Sequence, residues 1–326
     1  MTSVRTNPAQ ITSMRAAETG TAPYSQLDCP LPAVVVNPSN VDEPATLRTQ
    51  ITSVCAELGW APPLWLETTV EDPGGGQARI ALAAGADVVL VCGGDGTVRH
   101  VAQVLAGSDT ALGLVPAGTG NLLARNLAIG LNDTVRATRI ALSGKDRAID
   151  VGRVFLDDRV AEQVFLVMAG VGFDAAIMAG APHELKSRLG PLAYFVSGMR
   201  ALRGPRAPVT VAVDGRIEPP RQVRTVVVGN CGKLLAGLVL MPAARVDDGL
   251  LDVVAIGPRT IFGWLAVTAR VLTRRRRGHR MVQHWQGHTV IISAESPQLA
   301  QLDGDPVGEV RGLRMRVDRG ALLVRV

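Results

Sequence analysis

Aromatic residues are scarce in this chain: five Phe, four Trp and two Tyr among 326 residues, or 3%. Any core must therefore be filled by Val, Leu and Ala, and a hydrophobic content of 47% supplies them. Cysteine is equally sparse. Cys29, Cys55, Cys92 and Cys231 have neither paired nor metal-type spacing. Cys92 sits in an apolar strand pattern and Cys55 in a helical one. That argues against a disulfide scaffold and for reduced thiols in a cytoplasmic protein. No run has the length and apolarity of a membrane span. The nearest, Val164 to Gly180, contains Asp174 and three glycines, and reads as a buried strand, a turn and a helix start. Met1 to Pro30 lacks both periodicity and the apolar stretch of a secretory signal, and is read as a mobile tail. Two common nucleotide signatures are missing as well. Gly94-Asp95-Gly96-Thr97-Val98-Arg99 does not satisfy G-x-G-x-x-G, and no Gly-Lys-Ser/Thr follows it.

What is present is a glycine turn, Gly93-Gly94-Asp95-Gly96-Thr97, between the apolar run Asp87–Cys92 and the helical stretch Val98–Leu105. Glycines allow positive φ and close approach of a ligand to the backbone. The helix start behind them presents free N–H groups to an anion, most naturally phosphate. Asp95 would repel that phosphate unless a cation or a donor lies between them. The turn thus suggests phosphate with Mg²⁺, or a carboxylate aimed at an acceptor hydroxyl. The plainer alternative is a tight connection capped by Asp, but a cap needs one polar residue and not three glycines. A second turn, Pro116-Ala117-Gly118-Thr119-Gly120-Asn121, follows the short strand Leu112–Val115 and precedes Leu122–Leu127. Thr119 and Asn121 can offer polar groups to a phosphate or base, with Arg125 one helical turn on. Asn121 as a plain N-cap stays open. Two such turns one βαβ step apart can line the same crevice of a parallel sheet.

Around these turns, strands alternate with helices: Ala33–Val36, a helix over Thr46–Leu58, Leu64–Thr68, a helix over Gln77–Ala84, then the Asp87 strand. This predicts a three-layer α/β domain with a parallel sheet over 31–142. Beyond it the pattern changes to short β-rich runs: Arg147–Phe155, Val164–Ala169, Val209–Val213, Gln222–Val228, Leu251–Ile256, His288–Ile292 and Arg314–Val317. Gly, Pro and Asp-Gly turns separate them, which predicts a mainly antiparallel β-sandwich domain over 143–317. The end of the chain, 318–326, is a candidate to return to the first domain through Leu322–Val326.

Six motifs in order resemble the catalytic domain of the diacylglycerol kinase and sphingosine kinase family, most closely its bacterial lipid kinases. They are Val34-Val35-Val36-Asn37-Pro38, the two glycine turns, Gly170-Val171-Gly172-Phe173-Asp174-Ala175, Asp247-Asp248-Gly249-Leu250-Leu251-Asp252, and Leu302-Asp303-Gly304-Asp305-Pro306. The five-residue glycine motif alone is shared with NAD kinases and phosphofructokinases. The resemblance implies transfer of the ATP γ-phosphate to a lipid hydroxyl, with diacylglycerol as the first candidate and the lipid site between the two domains. It implies nucleotide contacts at Asn37, Thr68, Gly93, Gly94, Asp95, Gly96, Thr97, Gly118, Thr119 and Asn121; read from the residues alone, Thr68 could equally be a strand-end residue. Asp305 matches the last position of the family's Asp-Gly-Glu, taken as the general base, but is one methylene shorter. Read without the family, Leu302–Asp305 is an ordinary hairpin turn with solvated carboxylates. Arg245-Val246-Asp247-Asp248-Gly249-Leu250 resembles a Mg²⁺ loop of the bacterial members, with Asp248 ligating by its side chain and Arg245 and Leu250 by carbonyls; read from the residues alone, a polar turn carrying Asp-Gly stays open. That cation would be structural, linked through water to Asp95 and Asp150, while the catalytic Mg²⁺ arrives with ATP.

One basic stretch remains. Arg270, Arg274, Arg275, Arg276, Arg277 and Arg280 follow the apolar Ile261–Val267, in a chain of net charge +5. It reads either as a helix resting on anionic lipid or as a core helix with a solvated basic end. Nucleic acid is not expected, because no binding motif accompanies the arginines. The expectation is therefore a cytoplasmic, peripherally membrane-associated lipid kinase, with a homodimer left open. Two alternatives stand beside it: an NAD kinase, and a nucleotide-binding regulator without catalysis.

Overall fold

The computed structural model describes residues 29–172, 206–233, 239–258 and 282–326. The tail up to residue 28, Phe173-Asp174-Ala175 and the whole arginine-rich stretch lie outside them.

The first half is built on Val-rich strands with no polar alternation, the pattern of a parallel sheet covered on both faces. These strands are β1 (Pro32–Val36), β2 (Leu64–Glu67), β3 (Val88–Gly93) and β4 (Ala111–Pro116). They pair in parallel in the order β2-β1-β3-β4. The helices are α1 (Pro44–Glu57), α2 (Gly75–Ala83), α3 (Asp95–Leu105), α4 (Leu122–Asn126) and α5 (Thr134–Ser143). Alternate residues of each strand serve opposite faces. Val35, Val89, Val91 and Leu114 pack with Ala78 and Ala81 of α2 and Val98, Val101 and Leu105 of α3. Val34, Val36, Leu90 and Cys92 pack with Leu47, Ile51 and Val54 of α1 and Ala141 and Leu142 of α5. That is the three-layer arrangement.

The second half is antiparallel: β5 (Asp146–Leu156), β6 (Gln163–Phe165), β7 (Met168–Val171), β8 (Ala207–Val213), β9 (Arg216–Ile217), β10 (Arg221–Val223), β11 (Thr225–Gly229), β12 (Leu251–Ile256), β13 (Val282–Gly287), β14 (Thr289–Leu302) and β15 (Asp305–Arg325). Its core joins Phe165, Val211, Val228, Val253, Ile292, Leu302 and Leu313. The two halves share strands. Residues 313–318 of β15 pair with β5 in the second half, residues 322–325 continue the same pairing, and Val324 lies parallel to Leu112 of β4.

Two expected strands are broken in the structure. Val164–Ala169 divides into β6 and β7 because the N–H groups of Leu166, Val167 and Met168 turn onto the Asp303 carboxylate. Gln222–Val228 divides at Arg224, where the chain leaves β8 and joins β7 and β12. The short runs expected at His288–Ile292 and Arg314–Val317 are segments of one long hairpin, β14–β15, and β13 was not expected at all.

Candidate active site

The loop between β3 and α3 comes first. Gly94 occupies the N-cap of α3 and has no side chain, so it offers the amides of the first turn no side-chain acceptor. The second glycine turn packs backbone to backbone against the first: a Cβ on Gly118 would lie 2.5 Å from Gly94 Cα. Asp95 ties the two turns together, its Oδ1 accepting the Leu122 N–H at 2.6 Å. The start of α4 is thus capped from another helix. Asn121, which stayed open as a plain N-cap, makes no such bond. It adopts a left-handed backbone (φ 48°) and uses its amide to clamp Gly118, accepting from its N–H at 3.1 Å and donating to its carbonyl at 2.7 Å. Arg125 folds back the same way, its Nε donating to the Gly120 carbonyl at 2.8 Å.

The β14–β15 hairpin closes the site from the second half. Asp303 and Gly304 form its two-residue turn, both at positive φ (50° and 95°), as a type I′ turn requires. The hairpin reading is therefore correct for the backbone, but the two carboxylates are not both solvated. Asp303 is only 4% exposed and accepts three backbone N–H bonds, from Leu166, Val167 and Met168, at 2.8–2.9 Å. Asp305 reaches the first turn of α3, where a Cβ on Gly96 would lie 2.5 Å from its Oδ2. The same Oδ2 accepts from Arg99 Nη2 at 3.0 Å.

The result is a cleft of about 290 Å³ lined by Asn37, Asn40, Gly94, Asp95, Gly96, Thr97, Thr119, Gly120, Leu122 and the hairpin tip Asp303–Asp305. Of the residues expected to meet a nucleotide, Asn37, Gly94, Asp95, Gly96, Thr97 and Thr119 face it. Gly93, Gly118, Asn121 and Thr68 are not among its lining residues. Gly93 makes room for the Thr97 side chain, and the Thr68 N–H extends β2 by bonding to the Val36 carbonyl. Burial pushes the Asp95 carboxyl up to about 6, with the charges of Asp303 and Asp305 adding to the effect and the Leu122 N–H opposing it. Burial also raises Asp303, against the pull of Arg99 and its three amides. Burial lowers the imidazole of His100, whose Nδ1 lies 2.8 Å from the Gly96 carbonyl oxygen.

The Arg245–Leu250 loop lies outside that cleft. The Asp248 carboxyl is raised by burial and by the neighbouring charge of Asp150, and it accepts the Leu250 N–H at 3.1 Å. Asp150, expected to meet the loop's cation through water, sits beside the loop and accepts from Gly249 N–H at 2.6 Å and Gly320 N–H at 2.8 Å. Its burial to 2% exposure requires both bonds. Sequence reasoning also passed over Arg99 and gave Asp303 no role. The signal for Arg99 was its place four residues after Asp95, hence on nearly the same helix face.

The diacylglycerol kinase catalytic domain matches residues 33–154, and the YegS C-terminal NAD kinase beta sandwich-like domain matches residues 167–326. A probable lipid kinase YegS-like of Pseudomonas aeruginosa is 33% identical over 292 residues, covering 84% of this chain and 88% of that protein. The chain belongs to this family of bacterial lipid kinases. A diacylglycerol kinase of Mycobacterium tuberculosis is 36% identical over 174 residues, a match that spans 53% of this chain and only 56% of that relative. In fold, the chain resembles a crystal structure of a putative diacylglycerol kinase from Bacillus anthracis. The TM-score is 0.73 over 94% of this chain and 98% of that one, at 22% identity. No helix among the described residues is long and apolar enough to cross a membrane.

Proposed function

We propose that the protein phosphorylates a lipid hydroxyl with ATP, with diacylglycerol as the acceptor that yields phosphatidic acid. The observation that carries this reading is the meeting of Asp305 with the uncapped start of α3 in one cleft. Asp305 Oδ2 is held by Arg99, while among the described residues its Oδ1 accepts no hydrogen bond. In the reaction, the acceptor hydroxyl gives its proton to Asp305, and its oxygen forms the new bond to the γ-phosphorus. The bond from that phosphorus to the β-phosphate oxygen breaks, and ADP leaves. Gly94, Gly96, Thr97 and Thr119 hold the phosphates, Asn37 closes the cleft beside them, and Asp95 orders the two glycine turns. Gly93, Gly118, Asn121 and Thr68 support the nucleotide site without lining it.

Mg²⁺, when bound, offsets the charge of the phosphates. A second, structural Mg²⁺ fits Arg245, Asp248 and Leu250. All three offer oxygen donors, and a hard cation would relieve the repulsion between Asp248 and Asp150. Residues 31–142 serve the nucleotide and residues 143–317 the lipid. The enzyme works at the inner membrane surface, where Arg274–Arg277, outside the described residues, meet anionic lipid.

Labelled ATP offered with diacylglycerol micelles, with a whole lipid extract and with NAD is the test. Labelled phosphatidic acid is expected. Transfer to NAD in place of lipid would make the protein an NAD kinase. ATP binding with no transfer to any acceptor would make it a regulator.

A further inference from the structure

We infer that Arg99 is a positioning residue for Asp305, so that helix α3 fixes both the phosphate cradle and the carboxylate that faces it. The inference rests on the reading of Asp305 as the base. Three observations carry it. The Arg99 side chain is only 5% exposed, whereas that of Asp305 is 47% exposed. Arg99 Nη2 donates to Asp305 Oδ2 at 3.0 Å, and its Nε has no partner among the described residues. Gly96, nearly one turn earlier on the same helix, leaves room for Oδ2 close to α3, where a Cβ would lie 2.5 Å from it.

This arrangement is a poor device for stability. A buried guanidinium with an unpaired Nε bears a desolvation cost that one ion pair to a half-exposed carboxylate repays badly. It is a good device for placement. Asp305 enters from a strand more than two hundred residues further along the chain. A planar guanidinium fixes a carboxylate's orientation as well as its distance. Arg99 is not among the residues lining the cleft, so it would act through Asp305 and not on the substrate. The amides at residues 95–97 and the grip at residue 99 belong to one rigid helix of eleven residues. The spacing between phosphate and base is then set within α3, whatever small motions separate the two halves.

A double-mutant cycle with lipid phosphorylation as readout tests this. Arg99→Met should lower kcat by about 10²-fold, the order expected for a catalytic group displaced by about 1 Å, with ATP affinity and melting temperature near those of the unmutated protein. In an Asp305→Asn background the same substitution should cost nothing further, because its target is already gone. Arg99→Lys, which keeps the charge, should recover part of the rate. If Arg99→Met does not fold, Arg99→Lys and Arg99→Gln carry the same cycle. Additive losses, or a parallel loss of ATP binding, would make Arg99 a structural residue and overturn the inference. An Asp305→Asn variant that is slow beside an Arg99→Met variant that is not would overturn the inference alone. An Asp305→Asn variant as fast as the unmutated enzyme would remove the base assignment, and the role of Arg99 with it.

Discussion

Asp95 is one carboxylate with two demands on it. It caps a helix other than its own, through the Leu122 N–H, and it lines the cleft beside Asp303 and Asp305. Its carboxyl is raised from 3.8 to about 6, chiefly by burial. Across that window the native protein binds more protons than the unfolded chain. Stability contributed by this group therefore falls as pH rises from about 4 to about 6 and is level above that. Asp95→Asn keeps an oxygen for the Leu122 N–H and cannot ionise. In metal-free buffer its melting temperature should gain on that of the unmutated protein as pH rises through this window. Parallel curves would mean that Asp95 is not strained in the folded state. At the same time kcat should fall by more than about tenfold, roughly 1.4 kcal/mol of barrier. A smaller loss would leave Asp95 as a helix cap and nothing more.

The hairpin tip shows what a short element can and cannot reveal in its sequence. Asp303-Gly304 announces a two-residue turn, and the turn is there. Nothing local says that Asp303 would face inward and collect three amides from residues 166–168, about 135 positions away. The same contact explains the broken strand at Leu166: a run of apolar residues encodes burial but not the place where its amides leave the ladder. Arg99 was hidden for a related reason, since a helical arginine usually reads as solvated surface, yet its partner Asp305 arrives from a strand far along the chain. The glycine turns were legible because their glycines answer to short-range geometry. Gly118 against Gly94, for example, tolerates no side chain. Asp303→Ala should therefore cost at least about 3 kcal/mol in urea unfolding, since it leaves three buried N–H groups unsatisfied at about 1 kcal/mol or more each. Asp303→Asn should cost less, because one oxygen can still take the bonds from Val167 and Met168. Equal stability of Asp303→Ala and the unmutated protein would show that the amides find other partners.

At the scale of the whole molecule, the change of pattern from strand–helix alternation to β-rich runs marked the two halves in the sequence, but not how they are joined. That depends on β5 and β15, whose long pairing runs from Leu156–Leu313 to Asp146–Arg325 and so passes through both. Their polar alternation and interior glycines concealed their length. Two halves that share two strands, paired on both sides of an irregularity between Asp318 and Leu322, cannot lose one core without stripping partners from the other. The protein should accordingly unfold as one cooperative unit and not domain by domain. Hydrogen exchange in rising urea is the measurement. Amides of β3 in the first half and β12 in the second should become exchangeable at the same denaturant concentration. Gly152 offers a perturbation from one side only. A Cβ there would lie 2.2 Å from the ring of Phe165, which is fully buried in the second core. Gly152→Ala should cost about 1–3 kcal/mol by overpacking. It should move β3 and β12 to lower urea together, even though β3 is nowhere near the clash. If only β12 moves, the shared strands do not couple the halves, and the first half can stand folded when the second has opened.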